Sequence, residues 1–599
     1  MSVTFPLFLV LGLFLPGFFI AKFLRHDLWP ASAFVISLLI LFHSVFWLGI
    51  AGIPIKLWSV APLLIVASVA GAWAQRRFAL PAPVRPRTPL SKEEWILLLS
   101  SGLVGAVLLV HSATSPLLGS DTLFRWDFLA QRLLALGRFD FYPPLTPVDF
   151  RTYFYVDGIP PMVSFTNWWL YASAGRYLPS LICIFVTAQF VGTLAFTYGA
   201  AAALFSRRAG VIAAAILAAS PLYFRSVVLG QETGLTALSI AAVIYFIAAC
   251  KRPKDLPAMV SAGLAAGLCA LSREYGWIAL IAGAIALAWR RQAGKQILLF
   301  AAVAAGAAGP WYLRNWGRAG NPFYSLRFGD FAVNPIHDAI FQFYNSSLGI
   351  EHWTAGNWTS VFLLVAGLAL LPVLAGIPGG IRHFRKHGYL LVTAFLLLAV
   401  WMLSVGYTSG GVEISIRVLS PFVVVLSITA AGFLEPWMHR ERWRTALLIG
   451  IVLCQVWTAA QGMFFPNEIL AVRADQWRQS AFPEILKPAE FQIHDHLVRV
   501  LPHGYRVLSD NAYLHAALID SGIEVVPVWS PEVRFLFSSS PEEAERRLAA
   551  LGIGSVVCYP QSLNMSYLQI ASPLYAALPQ RWLVLGHSED LYVMAPKFH

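Results

Sequence analysis

The sequence predicts a polytopic α-helical membrane protein, with about fourteen transmembrane helices and a small C-terminal extracytoplasmic α/β domain. Three observations carry that reading. The 599 residues are 58% hydrophobic and only 12% charged, about half the charged share of an ordinary soluble chain. Apolar runs of bilayer-spanning length recur from residue 3 to residue 464, with basic residues gathered in every second connecting loop. After Phe465 the composition becomes that of a soluble domain.

The runs fall near 3–21, 31–53, 57–74, 94–114, 178–203, 209–228, 231–250, 257–272, 275–289, 296–312, 358–378, 389–406, 414–434 and 444–464. The first lacks a basic segment before it and a small-x-small cleavage site after it, so it is expected to stay as a helix. Basic clusters at Lys22/Arg25, Arg76 to Lys92, Arg207/Arg208, Lys251 to Lys254, Arg290 to Lys295, Arg382 to His387 and His439 to Arg444 lie in alternate loops. The positive-inside rule assigns all of them to the cytoplasm together. Loops 115–177, 313–357 and 407–413, the segment beyond Phe465 and both termini then lie outside. The Pro/Arg-rich stretch 81–92 (PAPVRPRTPLSK) reads as a linker. The expected organisation is 1–93, three leading helices and this linker; 94–465, the transmembrane core with its outer loops; and 466–599, the outer domain.

In that last segment Ser540-Pro-Glu-Glu543 supplies an N-cap, a first-turn proline and a capping-box glutamate for a helix through Leu551. The β-rich runs Tyr505–Ser509, Ile523–Val528, Ser555–Tyr559, Trp582–Gly586 and Leu591–Met594 surround it. The net charge of +12 belongs elsewhere. From Pro466 onward there are 10 Lys and Arg against 14 Asp and Glu, leaving 33 against 17 in the membrane part. Membrane orientation accounts for that excess, and no nucleic-acid partner is implied. The five cysteines show no CxxC spacing and the histidines, His337 and His352 included, are dispersed. Neither a disulfide framework nor a metal site is indicated.

Ionisable groups at bilayer depth are costly and point to function. Those at outer helix ends are Asp121, Arg125 and Asp127; Arg225 and Glu232; Arg273 and Glu274; Arg314; and Glu413 and Arg417. Carboxylates and arginines in one outer layer suit an anionic headgroup together with a group to be deprotonated.

The stretch S-D-T-L-F-R-W-D-F-L-A-Q-R-L-L-A-L-G from Ser120 resembles the first outer loop of the GT-C glycosyltransferases, which include protein O-mannosyltransferases and lipid A aminoarabinose transferases. Asp121, Trp126 and Gly137 match its acid, aromatic and helix-ending glycine. Thr122 stands where many members carry a second acid. Tyr142–Pro144 and Gly158–Pro161 resemble its proline-rich approach to the next helix, and Ser220–Leu235 a turn where Glu232 replaces the usual Asp. Pro310–Tyr324 (PWYLRNWGRAGNPFY) is similar to a P-W-x-x-R-N…G-N-P-x-Y signature, and Arg417–Pro421 to an Arg-x-x-x-Pro helix opening. The resemblance covers about residues 95–435 and the type of outer tail, but not the three leading helices.

It implies a bacterial inner (plasma) membrane enzyme that moves a sugar from a polyprenyl-phosphate donor to a lipid, glycan or protein acceptor on the outer face, with inversion. Such a donor is already activated, so no nucleotide-binding domain is needed, and no phosphate-cradling glycine loop is evident. Asp121 is the candidate base, with Glu232 as second carboxylate. Arg417 or Arg314 would hold the departing phosphate, with Arg125 and Arg273 in reserve and Asp127 and Asn315 as further substrate-binding candidates. A divalent metal is compatible with this chemistry but not indicated.

Structural readings stand beside these. Asp121 could be a solvated loop acid, Glu232 a helix cap and Arg314 a neutraliser of its helix C-terminus. Arg417 could pair with Glu413 four residues earlier, and Asn321-Pro322 could be a rigid turn. A transporter or lipid flippase is the rival class, for which paired halves and mid-membrane charges are expected. A non-catalytic scaffold of GT-C shape is the other.

Overall fold

The computed structural model of the protein describes residues 4–24, 26–78, 89–114, 116, 122–139, 158–250, 255–292, 294–324, 326–327, 329–331, 333, 335–408, 411–464, 488–501, 504–510, 514, 518, 521–528, 530–561, 563–588 and 591–597. Among these, ten helices are long and apolar enough to cross a membrane: Phe5–Phe23, Trp29–Ile50, Leu57–Phe78, Lys92–Thr114, Pro179–Leu204, Glu232–Ala249, Gly294–Ala319, Phe384–Val405, Ile416–His439 and Glu441–Gln461. Two further pairs are bent, Arg207–Ala218 with Pro221–Val228 by 67° and Ala355–Leu368 with Leu370–Arg382 by 99°. Counting each pair as one span gives twelve.

Helices also occupy the two remaining apolar runs, but Leu256–Ser272 and Glu274–Trp289 are shorter. The expected fourteen thus becomes ten to twelve by length and composition. The local chemistry explains the first break. Ser220 adopts extended backbone and caps a new helix through Tyr223 N–H, and Pro221 opens that helix without needing a donor. An apolar run read by length alone does not register that interruption.

The chain forms two compact units. The first comprises Met1–Pro116, Ile159–Leu313 and Phe341–Leu470; the second comprises Leu117–Gly158, Arg314–Ile340 and Ala471–His599.

Within the first unit the leading helices are fastened to the rest by polar contacts. His26 Nε2 lies 2.6 Å from Ser261 Oγ, His43 Nε2 lies 2.9 Å from the Ala307 carbonyl, and Trp169 Nε1 donates to the Phe8 carbonyl at 3.0 Å. Small residues allow close helix approach elsewhere. A Cβ on Gly379 would lie 2.2 Å from the Thr429 carbonyl, and Thr429 Oγ1 donates to Gly376 O at 2.8 Å. In a bilayer, where burial of apolar surface gives helices little reason to associate, such contacts hold them together.

In the second unit a five-stranded sheet contains β1 (Arg506–Ser509), β2 (Glu524–Pro527), β3 (Ile553–Cys558), β4 (Trp582–Ser588) and β5 (Leu591–Pro596). Their order is β2-β1-β3-β5-β4. β1 pairs in parallel with β2 and β3, whereas β5 runs antiparallel to β3 and β4. Each expected β-rich run contributes one strand. The helix Pro541–Ala550 starts where Ser540 Oγ accepts from Glu543 N–H at 3.3 Å, and Gly552 follows its end. Ile493, Leu497, Val507, Val525, Val557 and Val593 fill the space beneath the sheet.

The same unit includes part of the first long loop. Its short helix Phe128–Leu136 ends at Gly137, whose φ of 66° is the left-handed cap conformation glycine adopts without strain. Arg132 on this helix lies 3.6 Å from Glu524 at the start of β2.

Candidate active site

The candidate residues divide between the two units. In the first, the helix Glu232–Ala249 opens at Glu232 after Gln231 in extended backbone. Glu232 is only 2% exposed. Its Oε1 lies 3.3 Å from Arg273 Nη1, while its Oε2 is enclosed with no hydrogen-bond partner among the described residues.

Arg273 is where the chain leaves one helix and starts another turn. Leu256–Ser272 ends before it, its own backbone is extended, and the turn Glu274–Trp277 follows. The reversal is tight: a Cβ on Gly276 would stand 1.9 Å from the Cys269 carbonyl. That geometry sets Arg273 between two acids, because its Nε also lies 3.3 Å from Glu274 Oε2. One guanidinium thus serves two buried carboxylates, and the trio carries a net negative charge.

Hydroxyl groups join this helix start to two further arginine-bearing turns. Thr233 Oγ1 donates to Ser226 O at 2.7 Å, and Ser420 Oγ donates to Thr233 O at 3.2 Å. Ser226 Oγ donates to the Arg417 carbonyl at 2.9 Å. Arg417 lies half-buried on the turn Ile416–Leu419. Beside Ser226, Arg225 places Nη2 3.2 Å from Gln461 Oε1. The Glu413 side chain is outside the described residues, so the pair it would form with Arg417 is too.

In the second unit, Asp121 lies outside the described residues, as do Tyr142–Pro144 and the acids from Asp140 to Asp157. A wide helical turn, Thr122–Asp127, feeds the helix Phe128–Leu136. Turns of this kind occur often at functional sites. Thr122 and Asp127 are fully buried. Gln131 Nε2 donates to Asp127 Oδ2 at 2.5 Å, one helical turn away. The half-buried Arg125 guanidinium sits 6.0 Å from the centre of the Trp126 ring.

Arg314 and Asn315 lie near the end of the helix Gly294–Ala319. Arg314 Nη1 donates to Asn315 Oδ1 at 3.3 Å. Asn315 is fully buried and its Nδ2 donates to the Gly158 carbonyl at 2.9 Å. A Cβ on Gly158 would press to 2.6 Å from that amide. Asn321 Oδ1 accepts from Phe323 N–H at 2.8 Å and its Nδ2 donates to Leu326 O at 3.1 Å, a side-chain-locked turn over which Tyr324 packs on Ala319. The asparagines of the Pro310–Tyr324 motif therefore hold backbone in place.

With that geometry in view, residues 159–309 match the family described as dolichyl-phosphate-mannose-protein mannosyltransferase. Glu232 and Arg273 both fall in that stretch. The crystal structure of ArnT from Cupriavidus metallidurans bound to undecaprenyl phosphate is similar with a TM-score of 0.52 and 15% identity, over 84% of this chain and 98% of that one. The chain has the GT-C glycosyltransferase fold. The Archaeoglobus fulgidus oligosaccharyltransferase in complex with Zn and sulfate is similar at a TM-score of 0.47 and 14% identity, over 84% of this chain and 73% of that one. The mycobacterial arabinofuranosyltransferase AftD follows at 0.43 and 16%, over 86% and 42%. No curated protein sequence matches.

With this fold and ten to twelve apolar helices of spanning length among the described residues, the protein is an integral membrane protein. Among the described residues no three His, Cys, Asp or Glu side chains are grouped to hold a metal. The sequence picked out Glu232 through the GT-C resemblance and Arg273 as a charge at an outer helix end, each separately. That Glu232 shares the Arg273 guanidinium with Glu274 is not readable from spacing, since Glu232 and Arg273 are 41 positions apart. Ser226, Thr233 and Gln461 gave no signal at all, being ordinary polar residues in apolar runs.

Proposed function

We propose that this chain is a membrane glycosyltransferase that moves one sugar from a polyprenyl-phosphate donor to a lipid, glycan or protein acceptor on the outer face, with inversion. One observation carries the reading: the Glu232–Arg273–Glu274 trio, with two buried carboxylates on one guanidinium, lies inside the stretch that matches the mannosyltransferase family. The fold likeness to an ArnT bound to undecaprenyl phosphate supports the donor class.

In this reading Asp121 takes the proton from the acceptor hydroxyl as that oxygen attacks the anomeric carbon. The bond from that carbon to the phosphate oxygen breaks, and the polyprenyl phosphate leaves as an anion. Arg417 or Arg314 holds the departing phosphate, with Arg125 beside the acceptor loop. Arg273 orients Glu232, whose unpartnered Oε2 is the oxygen available to a substrate hydroxyl or to the proton in transit. Asp127 and Asn315 act by fixing their segments. The proposed organisation is 1–93 as leading helices and linker, 94–465 as transmembrane core and 466–599 as an extracytoplasmic domain, in a bacterial inner membrane.

The test is transfer of label from polyprenyl-phosphate sugars to acceptor by the purified chain in proteoliposomes. Asp121→Asn and Glu232→Gln are each expected to lower the rate by about 100-fold or more. An Asp121→Asn protein as fast as the unmodified one would refute the mechanism. Accumulation of donor inside the vesicles with no covalent change would show a transporter instead.

A further inference from the structure

Most ion-paired arginines of the first unit are matched by acids: Arg207 by Glu94 at 2.6 Å, Arg444 by Glu93 at 3.7 Å and Arg273 by Glu232 and Glu274. Arg225 is different. It sits on the last turn of the helix Pro221–Val228, just beyond the 67° bend. Its guanidinium meets a neutral oxygen, Gln461 Oε1 at 3.2 Å, and its Nε is enclosed without an acceptor among the described residues. No carboxylate lies within ion-pair distance of it among those residues. A partly buried cation held only by an amide is poorly compensated, and an anion must make up the difference.

Its position says which anion. The adjacent Ser226 accepts from Thr233 through its carbonyl and donates to the Arg417 carbonyl through its hydroxyl. The turn carrying Arg225 is therefore fastened directly to the turn carrying Arg417 and to the first turn of the Glu232 helix. Two arginine-bearing segments meet beside the Glu232–Arg273–Glu274 trio, whose acids both face Arg273 and neither of which lies within ion-pair distance of Arg225 among the described residues. Unlike the ammonium of lysine, a guanidinium offers a planar fork of donors suited to the oxygens of a phosphate.

We propose that Arg225 is a phosphate ligand, binding the phosphate monoester of the donor lipid and of the polyprenyl phosphate left after transfer. The assignment rests on the glycosyltransferase reading above. Gln461 holds the guanidinium in place while the site is empty and yields one N–H to the phosphate when it is filled. The neutral amide matters here, because an acid at that position would satisfy Arg225 internally and compete with the ligand.

The experiment measures binding, not turnover. Undecaprenyl phosphate is titrated into nanodiscs holding the full chain, with phosphatidic acid and inorganic phosphate as separate arms, and thermal stability is followed in parallel. Arg225→Gln is expected to weaken undecaprenyl phosphate binding roughly tenfold or more, and Arg225→Lys to recover part of it. Gln461→Glu is expected to weaken binding by a similar factor while raising the melting temperature, since it supplies the missing counter-charge. A purely structural arginine would let Gln461→Glu stabilise the protein and leave binding unchanged, which would overturn the assignment. So would equal binding by Arg225→Gln and unmodified protein. Should the unmodified chain bind no undecaprenyl phosphate, the donor reading falls and this assignment with it. Arg225-dependent binding of inorganic phosphate or phosphatidic acid at comparable strength would show that the site reads the phosphate group, whereas binding confined to undecaprenyl phosphate would show that the chain of the lipid is read as well.

Discussion

Arg273 and Arg506 are among the arginines that each stand between two glutamates, and the surroundings of their partners separate them. Arg273 bridges Glu232 and Glu274, whose side chains are 3% and 5% exposed. Arg506, at the start of β1, bridges Glu524 at 3.1 Å and Glu532 at 2.8 Å, with carboxylates 46% and 31% exposed. The ligand sets are alike, but the first is shut away among helices and the second is open to water. Water can replace a lost partner at Glu524 or Glu532 but not at Glu232 or Glu274. The buried bridge is thus costly to build and sensitive to any change, which fits a site, whereas the exposed bridge fits a surface contact.

The largest expected effect comes from removing the arginine of the buried bridge. Arg273→Met leaves two enclosed carboxylates side by side, and a destabilisation of roughly 3–5 kcal/mol is expected for such an uncompensated charge. Glu232→Gln leaves Arg273 still paired with Glu274, so its stability cost is smaller although its effect on transfer is as severe. Thermal unfolding in detergent measures the first quantity and labelled-sugar transfer the second. If Glu232→Gln lowers the melting temperature as much as Arg273→Met does, Glu274 does not share the guanidinium and the contrast with Arg506 is lost.

How much of this was legible in the sequence differs by residue. Strands were readable because Tyr505–Ser509, Ile523–Val528 and Ser555–Tyr559 are short β-branched runs in a polar setting, and each contributes a strand. Helices were readable as apolar runs, but the bend at Ser220-Pro221 was not, since cap and proline are local signals that an average over the run conceals. Glu232 and Arg273 stood out because charge is rare in such runs. Their pairing did not, because the two are 41 positions apart and meet only where the helix Glu232–Ala249 packs against Leu256–Ser272. Nor did the sequence show Arg132 reaching Glu524, a contact set by how the loop helix packs in its unit.

A middle-sized effect should follow from Gly276→Ala. The added Cβ would meet the Cys269 carbonyl at 1.9 Å, and backbone on both sides must move. A cost of roughly 1–3 kcal/mol is expected from overpacking of this kind, and because Arg273 and Glu274 ride on that turn, transfer should fall further than stability alone explains. Donor titrations separate the two: a lower maximal rate in the fully folded fraction supports a displaced bridge, whereas an unchanged rate per folded molecule would mean that the turn only packs.

The smallest effects are expected at the exposed bridge. Glu532→Gln should cost less than about 1 kcal/mol, and raising the salt concentration should shrink even that. Glu524→Gln should cost somewhat more, because Glu524 also faces Arg132 at 3.6 Å on the loop helix. Burial alone would lower the pKa of the Arg506 guanidinium, but its hydrogen bonds and attraction to Glu532 and Glu524 outweigh that and raise it above its ordinary value. A raised value means that its contribution is complete below the ordinary arginine range and disappears only above it, so this bridge predicts no change in stability across roughly pH 6–9. A double-mutant cycle on Arg132 and Glu524 gives the sharpest reading. Coupling of a few tenths of a kcal/mol that fades with salt would mark an ordinary surface pair, whereas coupling as large as that at Arg273 would mean that the contact between loop helix and sheet is shielded from water after all.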